Sequence, residues 1–271
     1  MDNCIELEDL DDPRLAAYAN LKHSNSARQR NSFVVEGRWC VERLLASSFQ
    51  TESILLPRGK ESEFAGRLPD QTTIYSLRSE AINDLVGYKF HRGVLACGRR
   101  QALLPVDQLR FSQQDPAIAL AVIGVSEHEN LGSIIRSASA LGIGDILIGP
   151  GTIDPFSRRV IRVSMATVFS QRLFDLRDPI QQLPGLTADG TIRTIVTTLD
   201  SDATCLEHLS PDNRNCLLVV GNEATGVPVE IQQLAADRVT IPMHLGTDSL
   251  NVAVAAAIFM HELCRWTRSI S

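Results

Sequence analysis

Ile241-Pro-Met-His-Leu-Gly-Thr-Asp-Ser249-Leu250-Asn251 runs without a break into Val252-Ala-Val-Ala-Ala-Ala-Ile-Phe-Met260, and this junction decides how the rest of the chain is read. The first part is a polar loop. Its Ser, Asp and Asn are good residues for starting a helix, because their side chains accept hydrogen bonds from the unpaired N–H groups there. The second part predicts a helix over residues 250–266, apolar and small-sided, suited to packing closely against a flat surface. A small-sided helix alone is bland; one preceded by so much polar chemistry points to a site.

Upstream of this junction the pattern is an alternation of strands and helices. Residues 117–125 are a continuous apolar run of strand length, as expected for a parallel strand buried on both faces. A helix is predicted at 130–141 with Asn130 as a cap, a strand at 145–148, a helix at 158–166 and a strand at 169–174. Further strands are predicted at 191–197, 216–220 and 239–241. This is the signature of a mostly parallel α/β domain, in which ligands gather at the carboxyl ends of the strands. In the first half, a helical period runs through Val35, Trp39, Val41, Leu44 and Leu45. Strand-like runs at 53–56, 72–77 and 92–98 and a helix near 79–85 complete a smaller α/β sandwich. The proline-bearing polar stretch between them reads as a linker. The expected division is an acidic leader at 1–12, a first domain at 13–104, a linker at 105–116 and a second domain at 117–271.

Composition narrows the class. The chain has 271 residues, 44% hydrophobic and 21% charged, ordinary for a soluble globular protein. No run approaches the roughly 18–20 apolar residues of a membrane helix. No export signal is visible at the acidic N-terminus, and the six scattered cysteines form neither a zinc-ligand pattern nor a disulfide framework, which fits a reducing cytoplasm. The net charge of −6 conceals an uneven distribution: six acidic and no basic residues stand among the first twelve, leaving the remainder neutral. Residues 14–43 and 88–110 each carry a net +4. Such patches can follow nucleic-acid phosphates or be ordinary solvated faces.

Three loops follow three of the predicted strands. Ser126-Glu-His-Glu-Asn130-Leu-Gly-Ser-Ile-Ile-Arg136 puts an arginine less than two helical turns after Asn130, either to hold a phosphate or oxyanion or to cover a surface. Val220-Gly221-Asn-Glu223-Ala-Thr-Gly226 sets a carboxylate between two glycines at a strand end, where a ligand can approach the backbone. The third is the loop around Gly246, Ser249 and Asn251. Familiar alternatives fail on spacing: there is no G-x-G-x-x-G between strand and helix, no P-loop, and no nucleophile elbow around Ser249. His244 reads as a loop histidine.

Taken together, these three loops resemble the motifs of the SpoU (TrmH-like) family of RNA 2′-O-ribose methyltransferases, members of the SPOUT superfamily. The resemblance extends to Asn31-Ser-Phe33-Val-Val-Glu36-Gly37 and Arg92-Gly93-Val-Leu-Ala, which look like that family's ribosomal-protein-like substrate-binding domain. It implies a trefoil-knotted catalytic domain, an exception to the rule against threaded chains. It also implies S-adenosylmethionine as cofactor, contacted by backbone around Gly221, Ile241 and Leu250, and a homodimer formed through the closing helix. A bulky residue at Ala256 is expected to disrupt that dimer. On the same resemblance, Arg136 activates the ribose hydroxyl, and Asn130, Glu223, Ser249 and Asn251 orient the reacting groups. No metal is implied, because the sulfonium already activates the leaving group. Ribosomal RNA is the expected substrate ahead of transfer RNA, and a non-catalytic RNA-binding or ribosome-assembly factor of the same fold is the competing reading. One departure stands out: Ala166 occupies a position where the family often has glycine.

Overall fold

The computed structural model describes residues 4–21, 31–64, 66, 68, 69, 71–91, 93–111 and 117–270. Asp2, Lys22, Arg28, Arg30, Arg92 and the linker residues 112–116 lie outside the described residues. The first half runs β1 (Cys4–Glu6), β2 (Ser32–Glu36), α1 (Arg38–Leu45), β3 (Thr51–Pro57), β4 (Thr73–Leu77), α2 (Ser79–Val86) and β5 (Leu95–Arg99). The second half begins β6 (Leu104–Pro105), β7 (Ile118–Val122), α3 (His128–Leu141), β8 (Asp145–Ile148), α4 (Arg158–Val163) and β9 (Arg172–Asp175). It continues α5 (Pro179–Thr187), β10 (Ile192–Thr197), β11 (Thr204–Cys205), β12 (Asn215–Val220), α6 (Val229–Gln232), β13 (Asp237–Thr240) and α7 (Val252–Ile270).

These elements form two units: residues 1–102 with 155–169, and residues 103–154 with 170–271. In the first, the sheet order is β1-β4-β3-β5-β2, with β5 antiparallel to both its neighbours and the other pairs parallel. Leu15, Val34, Leu55, Leu77, Ile82 and Leu95 pack together in one core cluster. The described part of the acidic leader belongs to this sheet, since Cys4–Glu6 pairs with Ile74–Ser76. The segment 155–169 joins the unit through aromatic stacking: Phe156 and Phe169 lie 5.6 and 5.2 Å from Phe33, centroid to centroid. α4 stops at Val163, three residues short of the predicted end, because Met165 and Ala166 turn the chain at φ of 55° and 61°. That left-handed geometry favours glycine, the residue the resemblance leads one to expect where Ala166 stands.

The second unit is an eight-stranded sheet, β11-β13-β10-β12-β7-β8-β9-β6, in which every pairing is parallel. Its central strand β7 is fully buried, as its unbroken apolar sequence requires. Leu104, expected at the end of the first domain, and Pro105, expected to open the linker, pair with Phe174–Asp175 at the sheet edge. Several boundaries differ from the expected ones. Asn130 is not the cap of α3 but its third residue, and α7 starts at Val252 because Asn251 caps it. The predicted strand at 169–174 narrows to Arg172–Asp175, residues 167–170 being a 3-10 turn.

Candidate functional site

The strand order places β13, β10, β12 and β7 side by side, so the turns beyond their carboxyl ends share one edge of the sheet. This includes all three loops singled out by sequence. A cleft of 270 Å³ opens there, lined by Thr197, Gly221, Glu223, Ile241, Ser249 and Leu250 together with Met243 and Phe259. Five of the eight expected site residues therefore share one cavity. Among the described residues the lining includes Asp200 and Glu223 but no Lys, Arg or His.

Each loop has a local reason for its shape. The turn after β12 is closed by a reciprocal backbone pair, Asn222 N–H to Gly226 O at 3.1 Å and Gly226 N–H to Asn222 O at 3.0 Å. A Cβ at position 221 would stand 2.2 Å from the Gly226 carbonyl carbon, so the turn admits only glycine there. Asn222 fastens this turn to the β7 loop, its Nδ2 donating to Gly124 O at 2.7 Å. Its Oδ1 accepts from Ala224 N–H at 2.9 Å, an Asx turn that fixes the direction of Glu223. Gly124 has φ +75°, and a side chain on it would crowd Asn222.

Glu223 is the hub. Its Oε1 accepts from Asn130 Nδ2 at 2.9 Å and from Glu127 N–H at 3.2 Å; its Oε2 accepts from the N–H and hydroxyl of Ser126, both at 3.3 Å. The carboxylate thus takes the place of the missing side-chain cap at the start of α3, where N–H groups lack intrahelical partners and the helix dipole favours negative charge. Burial opposes ionisation of Glu223, but the bonds from Asn130 and from the backbone of Glu127 and Ser126 prevail and hold its carboxyl below the usual range.

Asn251 completes a one-directional chain. Its Oδ1 accepts from Ala253 N–H at 2.9 Å and Val254 N–H at 3.3 Å, capping α7. Its amide nitrogen must then donate, and it meets Asn130 Oδ1 at 2.9 Å. That in turn makes the Asn130 nitrogen the donor to Glu223, which must be an ionised acceptor. One relay, Asn251 to Asn130 to Glu223, links the three loops.

Two expected residues stand outside it. Ser249 lines the cleft but is exposed and makes no hydrogen bond among the described residues. Arg136 is also exposed and holds no ion pair among the described residues. At six positions past Asn130 on α3 it lies about 120° round the helix axis and about 9 Å further along. Within one chain it therefore does not join the relay. Thr197, Met243, Phe259 and Asn222 were not singled out by sequence; for Asn222 the signal was present, an Asn directly after the glycine of a tight turn. A larger cavity of 1520 Å³ lies along α5, lined by Val106, Arg110, Arg177 and Asn215, and contains none of the expected site residues. Its Arg177 is already paired with Asp175.

The model of the SpoU rRNA Methylase family matches residues 117–261. An uncharacterized tRNA/rRNA methyltransferase of Mycobacterium bovis is 32% identical over 270 residues, spanning 95% of this chain and 90% of its own. The 23S rRNA (guanosine(2553)-2'-O)-methyltransferase RlmP of Bacillus subtilis is 25% identical, with 95% of this chain and 98% of its own covered. Among solved structures, an AdoMet-bound rRNA methyltransferase from Sinorhizobium meliloti has the same fold, with a TM-score of 0.84 at 22% identity over 97% of this chain and 98% of its own. With a family match across more than half of its length and a relative at 32% identity across nearly all of it, the chain belongs to the SpoU rRNA methylase family.

Proposed function

We propose that this chain transfers the methyl group of S-adenosylmethionine to a ribose 2′-hydroxyl of structured RNA in the cytoplasm, ribosomal RNA ahead of transfer RNA. The observation that carries the reading is the relay of Asn251, Asn130 and Glu223 beside a cleft walled by Gly221, Ile241 and Leu250. The cleft suits this cofactor. Its volume of 270 Å³ is close to the lower end of the roughly 300–1,000 Å³ typical of small-molecule sites. Its wall is apolar at Val227, Ile241, Met243, Leu250 and Phe259, and its charged lining residues are acidic, matching an adenosine-bearing sulfonium better than a phosphate-bearing nucleotide. When bound, the cofactor supplies an electrophilic methyl group on positively charged sulfur.

The chain's residues have the remaining tasks. A ribose hydroxyl is a weak nucleophile, so its proton must be shared and its oxygen held in line with the methyl group. Glu223 is not the base, because its oxygens are taken up by Asn130, Glu127 and Ser126; it positions the loops. A guanidinium is a donor and not a base, so Arg136 acts by holding RNA phosphate and stabilising developing oxyanion character. Its exposure and the lack of an ion pair among the described residues leave it available for that contact.

The reading includes a trefoil knot within residues 117–271 and a homodimer that completes the site. The second copy would seat on α7, where Val254 and Ile258 are 49% and 41% exposed on adjacent turns and His261 and Arg265 continue the stripe. Ala256 is the wrong place to test this contact, because it is fully buried within its own unit. Val254→Arg is the appropriate probe, and it should raise the monomer fraction in sedimentation. The first domain, 13–104, would hold the RNA. Ribosomal RNA is preferred because the Bacillus subtilis relative is named for a 23S target.

The test uses ribosomal RNA from cells lacking the gene and S-adenosylmethionine labelled in its methyl group. Label should enter RNA and survive alkaline hydrolysis within a dinucleotide, since a methylated 2′-oxygen cannot attack the adjacent phosphate. Arg136→Ala should reduce incorporation by about a hundredfold or more. Label recovered on mononucleotides, or no transfer and no cofactor binding by calorimetry, would overturn the proposal.

A further inference from the structure

Trp39 contradicts its own sequence pattern. The periodicity puts it with Val41 and Leu44 on a buried helix face, yet α1 buries Cys40, Val41 and Leu44 while Trp39 is 73% exposed. It stands in the first turn after β2, whose carboxyl end points the same way as those of β3 and β4, because β2 and β3 are both antiparallel to β5. Arg78 follows β4 directly, and Lys89 lies in the segment before β5, which is tied to the start of α1 by Gly37 N–H donating to Val94 O at 3.0 Å. Trp39, Arg78 and Lys89 therefore belong to one end of the sheet. β2 and β4 are three strand steps apart, about 15 Å. At this end Arg38, Arg58 and Lys60 are paired with Glu42, Glu6 and Glu63. Arg78 and Lys89 are exposed and have no ion pair among the described residues.

We propose that Trp39 is a stacking platform for an unpaired nucleobase of the RNA substrate, with Arg78 and Lys89 on the neighbouring phosphates. This rests on the RNA-methyltransferase reading. An exposed aromatic face with cations at the same end of the sheet is an arrangement that binds single-stranded nucleic acid: every base offers a π-face, and the cations track the backbone. Bases stacked inside a continuous duplex present no such face, so the platform selects loops and bulges.

The test uses the full chain carrying Trp266→Phe. Trp266 is buried and is the second of two tryptophans, so emission then reports Trp39. The probes are a hairpin RNA with a long randomised loop and the blunt duplex of its stem. The hairpin should quench Trp39 and the duplex should not. Trp39→Ala should weaken hairpin binding by about tenfold or more, and Trp39→Phe should recover most of it. Arg78→Ala and Lys89→Ala should each reduce the salt slope by roughly 0.7–1. The inference is overturned if Trp39→Ala binds the hairpin as tightly as the parent, if neither probe quenches, or if the duplex quenches equally. It is overturned too by emission that changes with protein concentration alone, which would make Trp39 a contact between copies. Failure of the methyltransferase reading shows separately, as absent S-adenosylmethionine binding in the same protein.

Discussion

Glu36 and Glu223 are both carboxylates at the carboxyl side of a strand, and they are held in opposite ways. Glu36, its side chain 4% exposed, faces the Arg158 guanidinium and accepts from the Tyr88 hydroxyl at 3.2 Å. Arg158 also lies over the Tyr88 ring, 5.0 Å from its centroid. Burial, with the Glu36 carboxylate adding to it, pushes the Tyr88 phenol up to about 12, so it remains a donor at any physiological pH. Glu223 faces amides, a hydroxyl and backbone N–H groups, and no cation among the described residues. The first arrangement cancels a charge inside a core and fastens residues 155–169 to their unit. The second keeps a charge and uses it to join the loops beside a cleft. A carboxylate's partners, more than its burial, separate a structural role from a functional one.

The largest expected effect breaks the first arrangement. Arg158→Ala takes the guanidinium away from the buried Glu36 carboxylate, and removing one partner of a buried pair costs about 3 kcal/mol or more. Arg158 is 27% exposed in its side chain, which lets water moderate the loss and places the expectation at the lower end of that range. Urea unfolding should show it as a lower midpoint at unchanged slope. A loss under about 1 kcal/mol would mean that stacking of Phe156 and Phe169 on Phe33 holds the segment by itself.

Glu223→Gln sharpens the other side. The substitution keeps the shape but turns a donor group toward Asn130, Glu127 and Ser126, with an expected cost of about 1–2 kcal/mol. The pH dependence has a definite sign. The Glu223 carboxyl is held below its ordinary value of 4.5, so its contribution is fully present above that value and disappears as pH falls through the lowered one. The stability gap between wild type and variant should therefore be constant above about pH 5 and close on acidification. A gap that persists in acid would show that the side chain's shape, not its charge, joins the loops. Methyl transfer should fall further than stability does, because this carboxylate joins the loops that wall the cleft.

The parallel sheet was legible because buried strands such as Ile118–Val122 are apolar without interruption, a pattern that needs no partner to be read. The site loops were legible because glycines and capping residues declare themselves locally, as at Gly221 and Asn251. What escaped was long-range. The cap of α3 comes from Glu223, 96 positions after Glu127, so sequence assigned that duty to the nearest candidate, Asn130. Residues 155–169 stack on Phe33, more than a hundred positions away, and no local period records it. Trp39 matched a helical period by coincidence of spacing, and only the choice of Cys40 as the inward residue rotated it outward. Ala166 gave no local sign of positive φ, since alanine is an ordinary helix former.

The smallest effect separates the two jobs of Asn251. As a cap, it accepts from Ala253 and Val254; as the head of the relay, it donates to Asn130. Asn251→Ala removes both and should cost about 1 kcal/mol, the usual value of a helix cap. Asn251→Asp keeps the cap, and its negative charge suits a helix N-terminus, so unfolding in urea should barely change. Yet the aspartate cannot donate. It would face Asn130 Oδ1 with an acceptor, forcing that amide to turn over and present oxygen to the Glu223 carboxylate. If the relay sets the geometry of the cleft, Asn251→Asp should lose methyl transfer as severely as Asn251→Ala while unfolding like the wild type. If it transfers methyl groups normally, the three loops are held by Glu223 and the α3 backbone alone, and the part assigned to Asn251 reduces to capping a helix.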